Sequence, residues 1–312
     1  MPGTRRSILF RGVWATTLLR IDQTGGIDLQ GIQEQTTAFA AAGCQGVYIG
    51  GTASEFHALS DSQFEVTSTA LAQAATNCEL PFQIGASHPL APGSLVRIGI
   101  AARLNPDAIQ VTLPDWTPVD LETARRFLER CADAARGIPL LLYNPPQAKT
   151  LLDAQSLVAL AEQVPALAGL KCGGGNSAWY AAMAPVFDRL SVFIPGHHYH
   201  SGTAQGAHGS YSNMACLSPE GAVRWAKLSP DMAADLEVRV ALFIQEAITP
   251  LLDRGLPGFA CDKAMAAAGG WASITPRLLW PFEGASDREV RSIVKAAERH
   301  IPEFLAPTKT HV

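Results

Sequence analysis

Lys171 closes a short apolar run, Leu167-Ala168-Gly169-Leu170, and is the sharpest candidate nucleophile in the sequence. An amine held in an enclosed apolar setting is costly to keep charged, so desolvation lowers its pKa. The neutral amine attacks a ketone, and the iminium that forms withdraws electrons from the neighbouring carbon. Two plainer readings stand beside this one: a lysine that snorkels at a strand end, or one that pairs with Glu55. Tyr143 ends the preceding apolar run. Neighbouring strands lie about 5 Å apart, so its phenol would sit near the Lys171 amine and pass protons at the bond being broken. The alternative is a core tyrosine with a satisfied hydroxyl. A third station is the turn Gly50-Gly51-Thr52-Ala53-Ser54-Glu55. Thr52 and the backbone N–H groups there are suited to receive a carboxylate, although such a turn can equally be merely tight.

The segment Gly196-His197-His198-Tyr199-His200 admits three readings. His197 or His198 contacts a substrate tail or acts as general acid/base, the histidines ligate a metal, or the loop is polar and faces solvent. Adjacent loop histidines seldom converge on one ion without a further carboxylate or thiolate, so no metal is expected. Asn213 is a candidate hydrogen-bonding partner for a ligand. Tyr211 reads as packing in or near the barrel end, and Trp14 and Phe56 read as core more simply than as pocket walls.

These residues need a frame that brings them together. Short, nearly continuous apolar runs recur at Gly12–Thr17, Gly46–Gly51, Pro81–Ala86, Ala108–Thr112, Pro139–Tyr143, Ala168–Lys171, Ser191–Pro195 and Gly209–Ser212. Such runs suit parallel strands buried on both faces. Helix-length stretches separate them: Leu29–Ala42 with Gly43 as C-cap, a stretch opened by Ser60 with part of a capping box, Asp120–Ala135 and Asp153–Val164. Eight runs with intervening helices predict an α/β fold, a (β/α)₈ TIM barrel, over residues 1–230. Catalytic groups then belong at the C-terminal strand ends, where Lys171, Tyr143 and the Thr52 turn all fall. No GxGxxG opens a helix after the first strand, which removes the main support for a dinucleotide site. Residues 231–312 read as a helical extension packed on the barrel, with helices over Asp231–Leu252 and Asp287–His300 and a Gly/Pro-punctuated stretch between them.

Composition narrows the class further. The chain has 312 residues, is 47% hydrophobic and 17% charged, and carries a formal charge of −4. No basic block suits nucleic acid or an anionic membrane surface, so neither is an expected partner. The arginine-bearing segment Met1–Arg11 precedes too short an apolar run for a signal peptide, so a cytoplasmic location is expected. Six scattered cysteines without a CxxC read as buried thiols.

Taken together, the stations resemble the dihydrodipicolinate synthase/N-acetylneuraminate lyase superfamily of class I aldolases and hydratases, most clearly from Gly12 to about Pro219. The carrying motifs are Gly12-Val13-Trp14-Ala15-Thr16-Thr17-Leu18, Gly50-Gly51-Thr52-Ala53-Ser54-Glu55 for the family's G-[TS]-T-G-E, Tyr143-Asn144-Pro145-Pro146 for Y-N-x-P, and Gly169-Leu170-Lys171 for G-x-K. The resemblance implies Lys171 as the Schiff-base lysine, Tyr143 as proton-relay phenol and Thr52 at a carboxylate pocket. It also implies a 2-oxo acid substrate, no metal or organic cofactor, and a homotetramer or dimer. Departures limit it. Ala53 replaces a threonine, leaving its backbone N–H, with Ser54 as a possible replacement hydroxyl. Trp116 stands where the synthase branch has a second tyrosine, and Ala148 where it has an arginine that pairs a carboxylate. These changes argue against lysine biosynthesis. Three activities follow as expectations: aldol cleavage or condensation with pyruvate as the enamine-forming half, dehydration of a 2-oxo-3-deoxy sugar acid, or metabolite binding without turnover.

Overall fold

A computed structural model of the chain describes residues 10–305. The N-terminal segment discussed above lies outside that range except for Phe10 and Arg11. Eight parallel strands close into a barrel: β1 Gly12–Thr16, β2 Gly46–Ile49, β3 Phe82–Gly85, β4 Ala108–Thr112, β5 Leu140–Asn144, β6 Leu167–Cys172, β7 Ser191–Pro195 and β8 Gly209–Tyr211. Each strand pairs with its sequence neighbour, and the ring closes where Gly12 of β1 stands opposite Gly209 of β8. The eight apolar runs of the sequence are these eight strands.

The crossovers are α1 Gln30–Ala42, α2 Asp61–Asn77, α3 Ala91–Arg103, α4 Leu121–Ala135, α5 Ala154–Gln163, α6 Ser177–Phe187 and α7 Tyr199–Ala204. Their ends follow local chemistry. The α1 helix stops at Gly43, whose φ of 80° is left-handed backbone that glycine adopts freely. Ser60 and Gln63 form a complete capping box at α2, where the sequence showed only part of one. Asp120 and Asp153 each accept a backbone N–H three residues on, so both are caps standing just outside their helices.

Two apolar layers hold the barrel. Strands and helices share the larger one, while Trp14, Tyr48, Leu141, Phe193 and Tyr211 fill the barrel interior from alternate strand positions. Large and small residues interlock there: a Cβ on Gly46 would sit 2.5 Å from the Trp14 ring. Every buried aromatic of this kind contributes roughly 1.5–3 kcal/mol.

After β8 the described chain is helical: α8 Met214–Leu217, α9 Pro219–Trp225, α10 Pro230–Phe243, α11 Thr249–Asp253, α12 Gly258–Gly269 and α13 Asp287–His300. The single helix expected over Asp231–Leu252 is interrupted by a π turn, Ile244–Ile248. Pro250 has no N–H to offer the carbonyl four residues back, and the chain widens just before it, with Thr249 N–H reaching the Ile244 carbonyl. The α12 helix lies in the stretch that the sequence left without an element, and it packs on the turn that follows β2.

Candidate active site

β5 and β6 lie in register with Tyr143 opposite Lys171, so both side chains leave neighbouring strands at the same height. The Lys171 Nζ stands 4.4, 5.1 and 5.2 Å from the ring centroids of Tyr143, Tyr48 and Tyr211. It donates to the Tyr48 Oη at 3.4 Å. No carboxylate among the described residues forms a salt bridge with it. Burial pushes this amine down to about 8, while the field of Asp262, and after it Cys216, opposes the shift. Three aromatic faces stabilise an ammonium less completely than a carboxylate would, so the neutral amine is accessible near neutral pH.

Glu55 is committed elsewhere. Its Oε1 accepts from Lys263 of α12 at 2.6 Å, its Oε2 accepts from the Leu279 backbone N–H at 2.6 Å, and both ionic side chains are 0% exposed. That geometry removes the Lys171–Glu55 pairing considered above. The same ion pair fastens α12 to the turn after β2. Gly50 makes that turn possible, because its φ is +76° and a Cβ would lie 2.2 Å from the Gly85 carbonyl.

A cavity of about 610 Å³ opens over Lys171, and Thr52, Ala53 and Tyr143 line it together. Burial raises the Tyr143 phenol above its ordinary value, offset by hydrogen bonds with the side chains of Thr52 and Gln147. The phenol therefore stays protonated at neutral pH, within a short polar chain that ends at the turn. Ser54 does not join this wall. Its hydroxyl is fully buried and donates to the Thr17 carbonyl at 2.8 Å, with Thr16 Oγ1 at 3.1 Å. The hydroxyl lost at Ala53 is thus not replaced from Ser54, whereas Thr16 does line the cavity.

The histidine loop divides. His197 lines the cavity, with its Nδ1 against the Asn213 side-chain amide at 2.9–3.2 Å and its backbone N–H donating to Asn213 Oδ1 at 3.1 Å. Burial, and then the neighbouring His198, push its imidazole down to about 4, so it is neutral at working pH. His198 faces a separate surface cleft beside Glu237 and Val238, away from Lys171. Among the described residues no group of three His, Cys, Asp or Glu is arranged to hold a metal ion. Trp116 is 88% exposed and stands outside the Lys171 cavity, on the rim of an adjoining lobe.

Three residues of the site escaped the sequence reading. Tyr48 is inward on β2 and contacts the amine directly. Tyr211, read as packing at the barrel end, is buried there but also donates to Gln83 Oε1 and turns its face toward Lys171. Asp262, from α12, lines the cavity; burial lifts its carboxyl to about 6, and Lys171 pulls it back. Period-two alternation in β2 and β8 would have found the tyrosines, since both share the inward phase of their strands. Nothing local marks Asp262, which reaches the barrel mouth only through tertiary packing.

Sequence and structure comparisons bear on the family and the fold of this chain. The dihydrodipicolinate synthetase family's pattern matches residues 9–254. A DapA-like lyase of Halobacterium salinarum is 26% identical over 222 residues, covering 70% of this chain and 72% of its own length. A 4-hydroxy-tetrahydrodipicolinate synthase of Streptomyces coelicolor is 26% identical over 289 residues, or 88% of each chain. Among solved structures, YagE of E. coli K12, a member of the dihydrodipicolinic acid synthase family crystallised with pyruvate, superposes with a TM-score of 0.83 at 18% identity, covering 93% of this chain and 98% of its own. The sialic acid aldolase of Ruminococcus gnavus gives 0.79 at 18% identity, covering 93% and 99%. At such identities the structural likeness speaks for the fold.

Proposed function

This chain belongs to the dihydrodipicolinate synthetase family, and from that premise we propose that it is a Schiff-base lyase of the class I aldolase type, acting on a 2-oxo acid with pyruvate as the enamine-forming half. The observation that carries the reading is the Lys171 amine, held without a salt-bridge partner among three phenol rings at the floor of a cavity. An amine lowered to about 8 supplies neutral nucleophile at physiological pH.

Lys171 Nζ attacks C2 of the 2-oxo acid, and loss of water leaves the iminium. Thr52 and the Ala53 backbone N–H hold the C1 carboxylate, which fixes the orientation of the reacting carbons. Tyr143 gives its proton to the C2 hydroxyl that leaves as water. The phenolate so formed accepts the proton of the C4 hydroxyl as the C3–C4 bond breaks, the bonding pair moving toward the iminium nitrogen to give the enamine. Protonation at C3 and hydrolysis release pyruvate and free the lysine. His197 is neutral and fixed by Asn213, so it serves as a hydrogen-bonding wall. His198 and Ser54 have no place in this scheme, and Trp116 bounds the space beyond the reacting carbons.

Product analysis on a panel of 4-hydroxy-2-oxo acids tests the proposal. Cleavage gives pyruvate plus an aldehyde in equal amounts, and Lys171→Ala loses it. A product that keeps the full carbon skeleton assigns dehydration instead. Turnover that survives Lys171→Ala overturns the Schiff-base mechanism.

A further inference from the structure

A second lobe of about 480 Å³ adjoins the Lys171 cavity, and Thr52, Tyr143, Gln147 and Phe259 line both spaces. Its walls carry a cluster of aromatic rings. Phe56, Phe259 and Phe282 surround His57 with centroids 5.5, 4.8 and 5.1 Å away, and Phe259 meets Phe282 edge to face at 5.1 Å. Burial holds the His57 imidazole below its ordinary value, so it adds a ring rather than a charge. Leu113 and the flat side of Trp116 complete the enclosure.

Several polar groups in these walls have partners within the protein, and His57 Nε2 is a buried exception with no hydrogen-bond partner. His88 Nδ1 accepts from the Leu90 backbone N–H at 2.9 Å, and Asp115 Oδ1 accepts from the Lys149 N–H at 2.8 Å. The Asn144 amide is bonded at both ends to the Leu152 backbone, at 3.0 and 3.1 Å. Thr150 is paired with Val119, its Oγ1 accepting the backbone N–H at 2.8 Å. No lysine or arginine lines the lobe. Lys149 lies over the Trp116 ring at 5.3 Å, with its Nζ donating to the Trp116 carbonyl.

We propose that this lobe is the subsite for the aldehyde half of the substrate, and that the aldehyde carries an aryl group. The inference rests on the lyase reading given above. In that reaction the C4 oxygen must reach the Tyr143 phenol, so the C4 substituent leaves the reacting carbons beside Tyr143, where the aromatic lobe begins. A flat ring fills such a space by stacking and edge contacts. A polyhydroxylated tail would find one open buried partner, His57 Nε2, and would leave its other hydroxyls among rings and engaged groups, while a second carboxylate would meet no cation. The cleavage is balanced by groups already named. The C3–C4 pair passes to the Lys171 iminium, and the C4 hydroxyl proton passes to the Tyr143 phenolate left when the iminium formed. C3 takes that proton from Tyr143 before hydrolysis, giving pyruvate and an aryl aldehyde.

The test compares kcat/KM for 4-hydroxy-2-oxo-4-phenylbutanoate with that for a 2-oxo acid of polyhydroxylated tail. The comparison is made in the wild-type chain, in Ala148→Trp, which fills the lobe, and in Phe282→Ser, which removes a wall at the partly exposed edge. The expected result is a preference of at least tenfold for the aryl acid, reduced at least tenfold by Ala148→Trp and in part by Phe282→Ser, chiefly through KM. Labelling of Lys171 by pyruvate and borohydride, run on each protein, separates the two levels of the argument. Intact labelling with equal or better turnover of the polyhydroxylated acid overturns the aryl subsite and leaves the Schiff base standing. Intact labelling, an unchanged substrate ratio and a dimer that weakens in Ala148→Trp give the lobe to a second copy of the chain and also overturn it. Absence of labelling in the wild-type chain removes the lyase reading and the subsite with it.

Discussion

Two lysines near the mouth of this barrel, Lys263 fully buried and Lys171 half-buried, stand under opposite conditions. Lys263 sits on α12 with no exposure, 2.6 Å from the Glu55 carboxylate, whose other oxygen is held by the Leu279 N–H. Lys171 sits at the end of β6 among three tyrosine rings, with one hydroxyl at 3.4 Å and no salt bridge. Consecutive residues of one helix serve the two: Lys263 closes its own ion pair, and Asp262 faces Lys171 across the cavity. A paired amine is a fastener, because its charge is satisfied and its lone pair unavailable. An amine left with rings and a distant carboxylate stays near its titration point, as the proposed nucleophilic role of Lys171 requires. The bonded counter-charge is what separates these two roles.

That contrast can be broken from either side. The largest effect is expected from Lys171→Ala, which should abolish pyruvate adduct formation and lower turnover by at least three orders of magnitude while leaving the fold intact. Mass spectrometry after borohydride, with circular dichroism, reads both. On the other side, Glu55→Gln leaves the Lys263 ammonium buried without a counter-charge and should cost about 3–5 kcal/mol in urea unfolding. Combining it with Lys263→Met should recover much of that loss, because no buried charge is then left without a partner. Turnover per folded molecule should change little. Tyr143→Phe removes the proton relay and should lower kcat by about 10²–10⁴, with pyruvate labelling of Lys171 retained.

The smaller predictions concern pH. Deprotonation of Lys171 creates the nucleophile, so the rate of adduct formation should rise with pH and level off above about 8. The Asp262 anion favours the ammonium form. Asp262→Asn should therefore move that midpoint to lower pH, since loss of the anion lets burial depress the amine further. Measured labelling rates from pH 6 to 10 decide the sign. A midpoint that moves upward would show that Asp262 does not act on Lys171 in this way.

The barrel was legible in the sequence because buried parallel strands leave short apolar runs, and caps such as Gly43 and Ser60 mark where the helices stop and start. Lys171 and Tyr143 were legible for the same reason, as polar groups terminating such runs. What escaped is the set that depends on facing and on long-range contact. The alternation of their strands marks Tyr48 and Tyr211 as inward, but only the closed barrel shows that both converge on Lys171. The α12 helix is buried on most sides, with Phe259, Ala260, Cys261, Lys263, Ala264, Met265 and Ala266 all inside, so it shows no polar face and no amphipathic period. Its glycine-bracketed sequence conceals both the helix and Asp262. The Glu55–Lys263 pair joins positions 208 apart, which no local pattern reports. Ser54 and His198 were drawn in by adjacency to true cavity residues, and the backbone turns each of them away.

The most direct test of the account is peptide mapping of the folded chain after treatment with pyruvate and borohydride at pH 8. The expected result is one reduced adduct, on the peptide that contains Lys171, with Lys263 unmodified. An adduct on Lys263, or none on Lys171 in a chain that demonstrably binds pyruvate, would contradict it.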